Sequence, residues 1–194
     1  MTPRNKLWLW VWLFLAGVPV ACRQPNAPSP APPALPSAPG SQLTARGAYS
    51  LAEKPAQAWN ASALLAELLS GDDINERGAS DYWEFHFVDP EMRKKFVVVV
   101  QAERVKQAQE GRLPARVTPL PANWMDSQPA YQKSVSAFFA HHPDPQSFQP
   151  GWLSCDSRNF STPHWTMLFS QPKHLPVGSM IDAASGDYLG EINR

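Results

Sequence analysis

Apolar and polar side chains alternate along two stretches of the chain, residues 82–88 and 164–170, and each carries a tryptophan near its start. A period of two predicts a strand with one face on a hydrophobic core. A further short strand is predicted over 179–183, followed by a turn at 184–187 where Gly186 can take a positive φ. The stretches 164–170 and 179–183 are therefore predicted to form a hairpin at the edge of a sheet.

Apolar residues spaced by three and four predict two amphipathic helices. The first covers 56–70, where alanine and leucine recur at this spacing, and Gly71 is placed to end it. Trp59 would lie in its first turns. The second begins at 126–129, where Asp, Ser and an early Pro are typical of a helix start, and continues to the histidines at 141–142. Its apolar stripe consists of Tyr131, Val135, Phe138 and Phe139.

Three more segments complete the predicted sheet. Residues 96–100 are uniformly apolar, which predicts a central strand covered on both faces. Residues 101–110 are charged and are expected to leave the sheet as a strand end or a short helical turn, whereas 148–154 form another strand. The predicted fold class is α+β, with helices packed on an antiparallel sheet.

A repeated pattern divides the globular part into two halves. Residues 83–90 and 165–172 share the sequence Trp-x-apolar-x-Phe-x-x-Pro, and each is followed by an apolar strand. We therefore predict two related halves, 42–112 and 127–194. They are joined by a connection over 113–126, which has three prolines in its first nine residues. The alternative is that two half-buried hairpins look alike by chance.

The N-terminus has the features of an export signal. Basic residues at Arg4 and Lys6 precede an apolar segment, 7–20, that is short for a membrane span. Pro19-Val-Ala-Cys22 resembles a bacterial lipobox, which predicts a signal over 1–22 and lipidation of Cys22; an ordinary cleaved signal and an uncleaved anchor are the alternatives. Because Arg23 is not an aspartate, the lipoprotein is expected at the outer membrane.

Residues 23–41 are rich in Pro, Ala and Ser. Such a composition favours an extended, solvated chain over a packed core. At ~3.1 Å per residue, the segment 24–40 would form a stalk of roughly 50 Å. A Pro-rich ligand for a partner module is the alternative interpretation.

The end of the chain resembles PepSY and PepSY-like domains. Residues 180–189, Met-Ile-Asp-Ala-Ala-Ser-Gly-Asp-Tyr-Leu, place Asp182, Ala183 and Gly186 at the family's motif positions. The resemblance covers about 127–192. It implies a small α+β unit of exported proteins and protease propeptides, linked to binding or inhibition and without catalytic residues. Residues 101–105 lack the motif's Asp and Gly, so the first half would be a degenerate copy.

Composition narrows the function classes. The chain has 17 acidic and 17 basic residues, so no excess positive charge indicates a nucleic-acid partner. Cys155 has no cysteine partner once Cys22 is lipidated, which predicts no internal disulfide. No motif of a cofactor or metal site stands out, and we expect neither.

Two polar sets are candidate metal sites. Asp73, Asn75, Gly78 and Glu84 fall at EF-hand positions, but Arg77 occupies a place that needs a carboxylate. A polar turn is the favoured interpretation.

His86 and His164 hold similar positions in the two patterns and could approach each other as a zinc site, although exposed polar positions on a half-buried sheet explain them better. Cys155 with His164 could serve as nucleophile and base, but no third positioning residue accompanies them. Asp182 is expected to accept backbone N–H bonds in the 183–186 turn.

Trp124 and Trp152 stand among Pro, Asn, Asp and Gly, so they are candidates for an exposed aromatic patch that meets a partner, although core packing is the favoured interpretation for each. The predicted function is a non-enzymatic, membrane-tethered envelope lipoprotein that binds or regulates a protein such as an envelope protease. A carrier of a small apolar ligand or lipid is the first alternative. A hydrolase that uses Cys155 or a histidine pair is the second.

Overall fold

The computed structural model describes residues 42–72, 74–113, 117–142, 148–157, 162–172 and 175–193. The predicted signal, Cys22 and linker lie outside these residues. The elements are α1 (Ala45–Trp59), β1 (Leu64–Ser70), β2 (Tyr82–Val88), β3 (Lys94–Gln101), β4 (Arg104–Arg112), α2 (Ser127–His141), β5 (Gln149–Asp156), β6 (His164–Ser170), β7 (Val177–Asp182) and β8 (Tyr188–Asn193).

All eight strands form one antiparallel sheet in the order β4-β3-β2-β1-β5-β6-β7-β8. The predicted α+β class, with helices on an antiparallel sheet, is confirmed. Both helices pack on one face of the sheet, against a single core that includes Trp83 and Trp165. Within the described residues, no helix is long and apolar enough to cross a membrane.

The prediction of a helix over 56–70 is wrong. Helix α1 starts 11 residues earlier, at Ala45, and Trp59 is its last residue. Its buried stripe consists only of alanines, Ala45, Ala48, Ala52 and Ala56, which carry little apolar surface and so give a weak sequence signal. Small side chains let the helix lie close to the sheet, and Thr44 caps it by accepting a bond from the backbone N–H of Gly47.

Residues 64–70 form a strand because a β-bulge mimics helical spacing. The register of β1 on β2 shifts between Leu65 and Glu67. The extra residue places Leu65 and Leu68, three apart, on the same helix-facing side of the sheet, where both are buried. A spacing of three residues therefore arose from a bulged strand and not from a helix.

The first half ends in a hairpin that the sequence did not indicate. Strand β3 lies between β2 and β4, so the predicted interior position of 96–100 is confirmed. Val97 is buried and Val99 half-buried on the side away from the helices. The expectation that 101–110 leaves the sheet is wrong, because β4 pairs along β3 to Arg112. The turn is made by Ala102 and Glu103, both with positive φ (48° and 61°).

The second half follows its prediction more closely. Helix α2 begins after Asp126, whose side chain accepts a bond from the Ser127 N–H, and ends at His141. The predicted hairpin of β6 and β7 forms, but it is not at the edge, because β8 pairs with β7 beyond it. Strand β8 contains a bulge and a glycine, Gly190, which interrupt the alternation that would have predicted it.

Both halves have the order helix followed by four strands. Helices α1 and α2 each have 15 residues and start 82 residues apart. The Trp83 Nε1–H donates to the carbonyl of Leu43 (2.8 Å), and the Trp165 Nε1–H donates to the carbonyl of Met125 (3.1 Å). Each acceptor lies two residues before its helix, so the two tryptophans hold equivalent helix starts.

The halves meet at β1 and β5. These strands pair in register only at Leu68 with Cys155 and Leu69 with Ser154. Beyond them, the Leu153 N–H donates to the Ser70 hydroxyl (2.9 Å) instead of to a strand carbonyl. The helix starts also meet, since the Ala45 N–H donates to the hydroxyl of Ser127 (2.8 Å). The sheet is continuous, but its central seam is short.

Candidate functional site

A surface groove opens where β1 and β5 separate beyond Ser70. We call it the seam groove. Its larger compartment, about 560 Å³, is lined by Ile74, Asn75, Glu76, Arg77, Tyr131 and Pro150. Its smaller compartment, about 360 Å³, is lined by residues that include Asp72, Pro150, Trp152, Leu168, Ser170 and Pro176. Pro150 lines both compartments. Tyr131 of α2 places the larger one on the helix side of the sheet, whereas Trp152 and Leu168 alternate with the core residues Leu153 and Phe169 and place the smaller one on the other side.

The loop that lines the larger compartment of the seam groove is held by side chains that bond to its backbone. The Asn75 side-chain oxygen accepts bonds from the N–H groups of Arg77 (2.8 Å) and Ala79 (3.2 Å). The Ser127 hydroxyl donates to the Gly78 carbonyl (2.6 Å). A Cβ added at Gly78, where φ is +64°, would lie 2.4 Å from the Ser127 carbonyl oxygen. This close approach requires glycine, and it fixes the loop against the start of α2.

The lining of the seam groove combines aromatic, proline and charged groups. Trp152 and Pro150 are half-buried, and the side chains of Glu76 and Arg77 are exposed. Burial raises the pKa of Tyr131, and the nearby carboxylate of Glu76 raises it further. The phenol therefore stays protonated at neutral pH and can donate a hydrogen bond to a ligand. The groove is suited to an extended peptide with apolar side chains and free backbone carbonyls.

Only one of the two tryptophans proposed for an exposed patch lies at a surface site. Trp152 lines the seam groove from β5. Trp124 is only 5% exposed and belongs to the core. Its ring lies 5.9 Å from that of Tyr49 and 6.2 Å from that of Trp165, and the Arg46 guanidinium lies 3.9 Å from its centroid. Trp124 therefore follows the favoured interpretation of core packing and is not part of an exposed patch.

A second polar set lies on the face of the sheet without helices. His86 Nδ1 is 2.9 Å from Glu67 Oε2, and its Nε2 is 2.5 Å from Glu84 Oε1. The Tyr82 hydroxyl donates to Glu84 Oε2 (2.9 Å). The bond with His86 lowers the pKa of Glu84, while burial and Glu84 raise the pKa of Tyr82 to about 12. We call these four residues the acid–imidazole cluster.

The cluster does not have the geometry of a metal site. The two ring nitrogens of His86 point in different directions, each towards one carboxylate, so Glu67 and Glu84 cannot converge with the imidazole on one ion. Among the described residues, no three His, Cys, Asp or Glu side chains are grouped to hold a metal. Sequence reasoning missed Glu67 because the strand that carries it was predicted as a helix.

The proposed approach of His86 and His164 does not occur. Strands β1 and β5 separate β2 from β6, which corresponds to about 14 Å between the two strands at the usual spacing. His164 is fully buried, with its Nδ1 3.1 Å from the Thr162 carbonyl oxygen. Its expected exposure on the sheet surface is therefore wrong.

The EF-hand positions are occupied by structural contacts. Asn75 holds its own turn, Gly78 packs on Ser127, and Glu84 bonds to Tyr82 and His86 within β2. Asp73 lies outside the described residues. The favoured interpretation of a polar turn agrees with these contacts, because the side chains of Asn75 and Glu84 are directed to different partners.

The Cys155 thiol cannot use His164 as a base. Cys155 pairs in register with Trp165 and belongs to the helix-side core, whereas its chain neighbour Asp156 pairs with His164. Side chains of adjacent strand residues point to opposite faces, so the thiol and the imidazole lie on different sides of the sheet. Burial raises the pKa of the Cys155 thiol well above its ordinary value, which keeps it protonated.

The motif residue Asp182 binds its own turn, as the sequence predicts. Its Oδ1 accepts bonds from the N–H groups of Ala184 (2.9 Å) and Ser185 (2.8 Å). The Ser185 N–H is the largest cause of the lowered pKa of Asp182. Ala183 is buried, and Gly186 has φ +74° at the end of the turn. Asp182 thus stabilises the turn, Ala183 packs in the core, and Gly186 takes the left-handed conformation that the turn needs.

Aromatic contacts fill the space between helices and sheet. The Phe138 ring stacks on Phe169 with centroids 3.9 Å apart, and Tyr49 lies 6.0 Å from both Phe85 and Phe87. Trp59 stacks on Phe96 at 5.2 Å, and its Nε1–H donates to Glu110. A carrier of an apolar ligand would need room at these positions, so the contacts do not favour that alternative.

No protein-family model and no curated protein matches the chain. Its fold is similar to the crystal structure of a candidate lipoprotein from Clostridium difficile 630, with a TM-score of 0.55 and 14% sequence identity. The match covers 75% of this chain and 92% of that protein. At this identity the similarity concerns the fold, and the PepSY resemblance stays a prediction from the motif residues.

Proposed function

We propose that this protein is a non-enzymatic, lipid-anchored protein of the bacterial cell envelope that binds a segment of a protein partner, such as an envelope protease. The observation that carries the proposal is the seam groove, with Trp152 in its smaller compartment and the loop fixed by Gly78 beside its larger one. A concave surface with an aromatic anchor and a few charged groups is suited to recognition. The catalytic candidates Cys155 and His164 are both buried on opposite faces of the sheet.

We further propose that the two halves are PepSY-like units that descend from one ancestor. Equal helix lengths, the offset of 82 residues and the equivalent bonds of Trp83 and Trp165 support this duplication. The turn made by Asp182, Ala183 and Gly186 supports the PepSY assignment of the second half. In this interpretation the seam groove is a product of joining two units into one sheet.

The partner site can be tested in cells by photo-cross-linking. A photoreactive amino acid at Gln149, an exposed residue that lines the groove, should trap a second protein in one discrete adduct. The same probe at Gln107, exposed on edge strand β4, is the control and should not give that adduct. Trp152→Ala should weaken trapping at Gln149 by roughly tenfold or more, as expected for loss of an aromatic anchor. Equal trapping from both positions would contradict the proposal.

The anchor requires its own test. Mass spectrometry of the mature N-terminus should find Cys22 as the first residue, carrying acyl chains, while Cys155 is unmodified. Separation of inner and outer membranes should place the protein in the outer membrane, and Arg23→Asp should shift it towards the inner one. A mature N-terminus without lipid at Cys22 would overturn the anchor while leaving the groove proposal intact.

A further inference from the structure

The two compartments of the seam groove differ in the charges that line them. The larger one presents both signs, through Glu76 and Arg77. The smaller one is lined by Asp72, by Trp152 and by neutral residues, so Asp72 carries the only charge among its described lining residues. The smaller compartment is therefore negative, and its described lining offers no basic group to balance the carboxylate.

The Asp72 carboxylate is available to a ligand. Its side chain is exposed, and no described residue forms a hydrogen bond or an ion pair with it. Other carboxylates of the molecule are engaged, since Glu110 binds Lys94 and Asp182 binds its own turn. An acidic group that has no such contact and lies at a cavity favours a cationic ligand.

A β-bulge presents Trp152 at the same compartment. The register of β5 on β6 shifts between Pro150 and Leu153, which leaves one extra residue on β5. Gly151 and Trp152 lie at this bulge. Bulges bend a strand and redirect a side chain, and they are frequent beside binding sites. Because Trp152 is only half-buried, part of its indole ring is accessible from the compartment.

We propose that the smaller compartment of the seam groove binds an arginine side chain of the partner segment. The guanidinium stacks on the indole of Trp152 and pairs with the carboxylate of Asp72. A guanidinium suits both contacts, because it is planar, is attracted to the face of an aromatic ring and donates paired N–H bonds to a carboxylate. The inference rests on the proposed function, since it names the chemistry of the segment that the groove recognises.

The rest of the lining matches an arginine as well. A guanidinium has five N–H donors and no acceptor, so it needs acceptors around it. The Ser170 hydroxyl donates to the Gln149 carbonyl (3.3 Å), which leaves its oxygen able to accept, and the exposed Gln149 amide adds a second acceptor. Pro150 and Pro176 supply apolar surface for the methylene stem.

The test compares two pentapeptides with acetylated and amidated ends, Gly-Ala-Xaa-Ala-Gly, in which Xaa is arginine or citrulline. Citrulline has nearly the same shape but no charge. Isothermal titration calorimetry with the purified full chain in detergent micelles should show that the arginine peptide binds about tenfold more tightly or better. Equal affinities, or no binding of either peptide, would overturn the inference.

Three variants locate the binding site. Asp72→Asn should reduce the difference between the peptides to about twofold, because the charge is lost. Glu76→Gln, an exposed carboxylate of the larger compartment, is the matched control and should leave the difference unchanged. Trp152→Leu should weaken binding of the arginine peptide by about fivefold. Thermal unfolding verifies that each variant is folded. A full difference in the Asp72 variant would show that another group binds the arginine.

The cellular adduct at Gln149 separates this inference from the proposed function. Mass spectrometry of the adduct should find an arginine within about three residues of the cross-linked position in the partner, since an extended segment spans ~3.3 Å per residue. An adduct without such an arginine would overturn the inference and leave the proposed function in place. Preference for the arginine peptide without any adduct in cells would support the inference and contradict the proposed partner.

Discussion

The two halves of the sheet are alike on the helix side and different on the other. On the helix side, Trp83 and Trp165 are both buried in the core and both bond to the chain before a helix. On the other side, the first half carries the partly exposed acid–imidazole cluster, whereas His164 and Thr166 in the second half are buried. The face that packs the helices is under the same steric demands in both halves, which explains why the halves differ mainly on the other face.

The last turns of the two halves make the same point. In the second half, Asp182 accepts two backbone bonds, and Gly186 takes the left-handed conformation without strain. In the first half, Ala102 and Glu103 take positive φ without a glycine, and the Ala102 N–H donates to the Asp81 carbonyl (2.9 Å). A two-residue turn of this kind favours Asn and Gly, so the first hairpin is held by its strands more than by its turn.

The largest expected effect tests whether the helix sides are equivalent. Trp83→Ala and Trp165→Ala should each lower the free energy of unfolding by about 3–5 kcal/mol, because each removes a buried ring. Trp→Phe at either position keeps most apolar contacts but loses the indole bond to Leu43 or Met125, so it should cost less. Chemical denaturation of all four variants measures this. If the free energy of unfolding falls several times more at one tryptophan than at the other, the helix sides of the two halves are not equivalent.

The second prediction separates the two turns. Gly186→Ala should destabilise the protein by about 1–2 kcal/mol, because φ is +74° and the new Cβ would lie 2.5 Å from the Lys133 side chain. Ala102→Gly, at φ +48°, should instead leave stability unchanged or raise it slightly, by up to ~1 kcal/mol. Thermal unfolding of the two variants provides the comparison. Destabilisation by Ala102→Gly would show that the first turn is not strained.

The third prediction concerns the helix-free face. Glu84→Gln should cost about 1 kcal/mol, because it weakens charge-assisted contacts with His86 and changes the acceptor of Tyr82. Glu103→Gln, at an exposed turn position of the same half, is the control and should have no measurable effect. The denaturation midpoints of both variants are compared with that of the wild type. Equal stability of the Glu84 variant and the wild type would remove any structural role for the cluster.

The smallest effect is a pH dependence of the second turn. The folded pKa of Asp182 lies below its ordinary value because backbone N–H groups of Ser185 and Ala184 bind the carboxylate. The resulting stability is therefore present above the unfolded pKa, ~3.9, and is lost as the pH falls through the folded pKa. Asp182→Asn should be less stable than wild type at pH 7, with the difference shrinking in acid. A difference that is constant from pH 7 to pH 2 would contradict this origin.

The elements with strict local patterns were predictable from sequence. Strand β2 alternates without interruption, and α2 has a cap at Asp126 and large apolar residues on one side, so each was placed within a residue or two. The motif turn at Asp182 was predicted from its residue types as well. In these segments local preference and tertiary packing agree, which lets a pattern in a short window decide the structure.

The other elements and the site were decided by tertiary structure. The buried face of α1 consists of alanines, which become a recognisable core face only when the helix lies on the sheet. The bulge in β1 changes which leucines share a face. The two compartments of the seam groove each join residues that are far apart in the chain, Ile74 with Tyr131 and Asp72 with Trp152, because β1 and β5 pair briefly and then separate. The sequence by itself determined the fold class and the core face of each half. The joining of the halves determined the groove, because a surface made from distant residues leaves no periodic signal in any one segment.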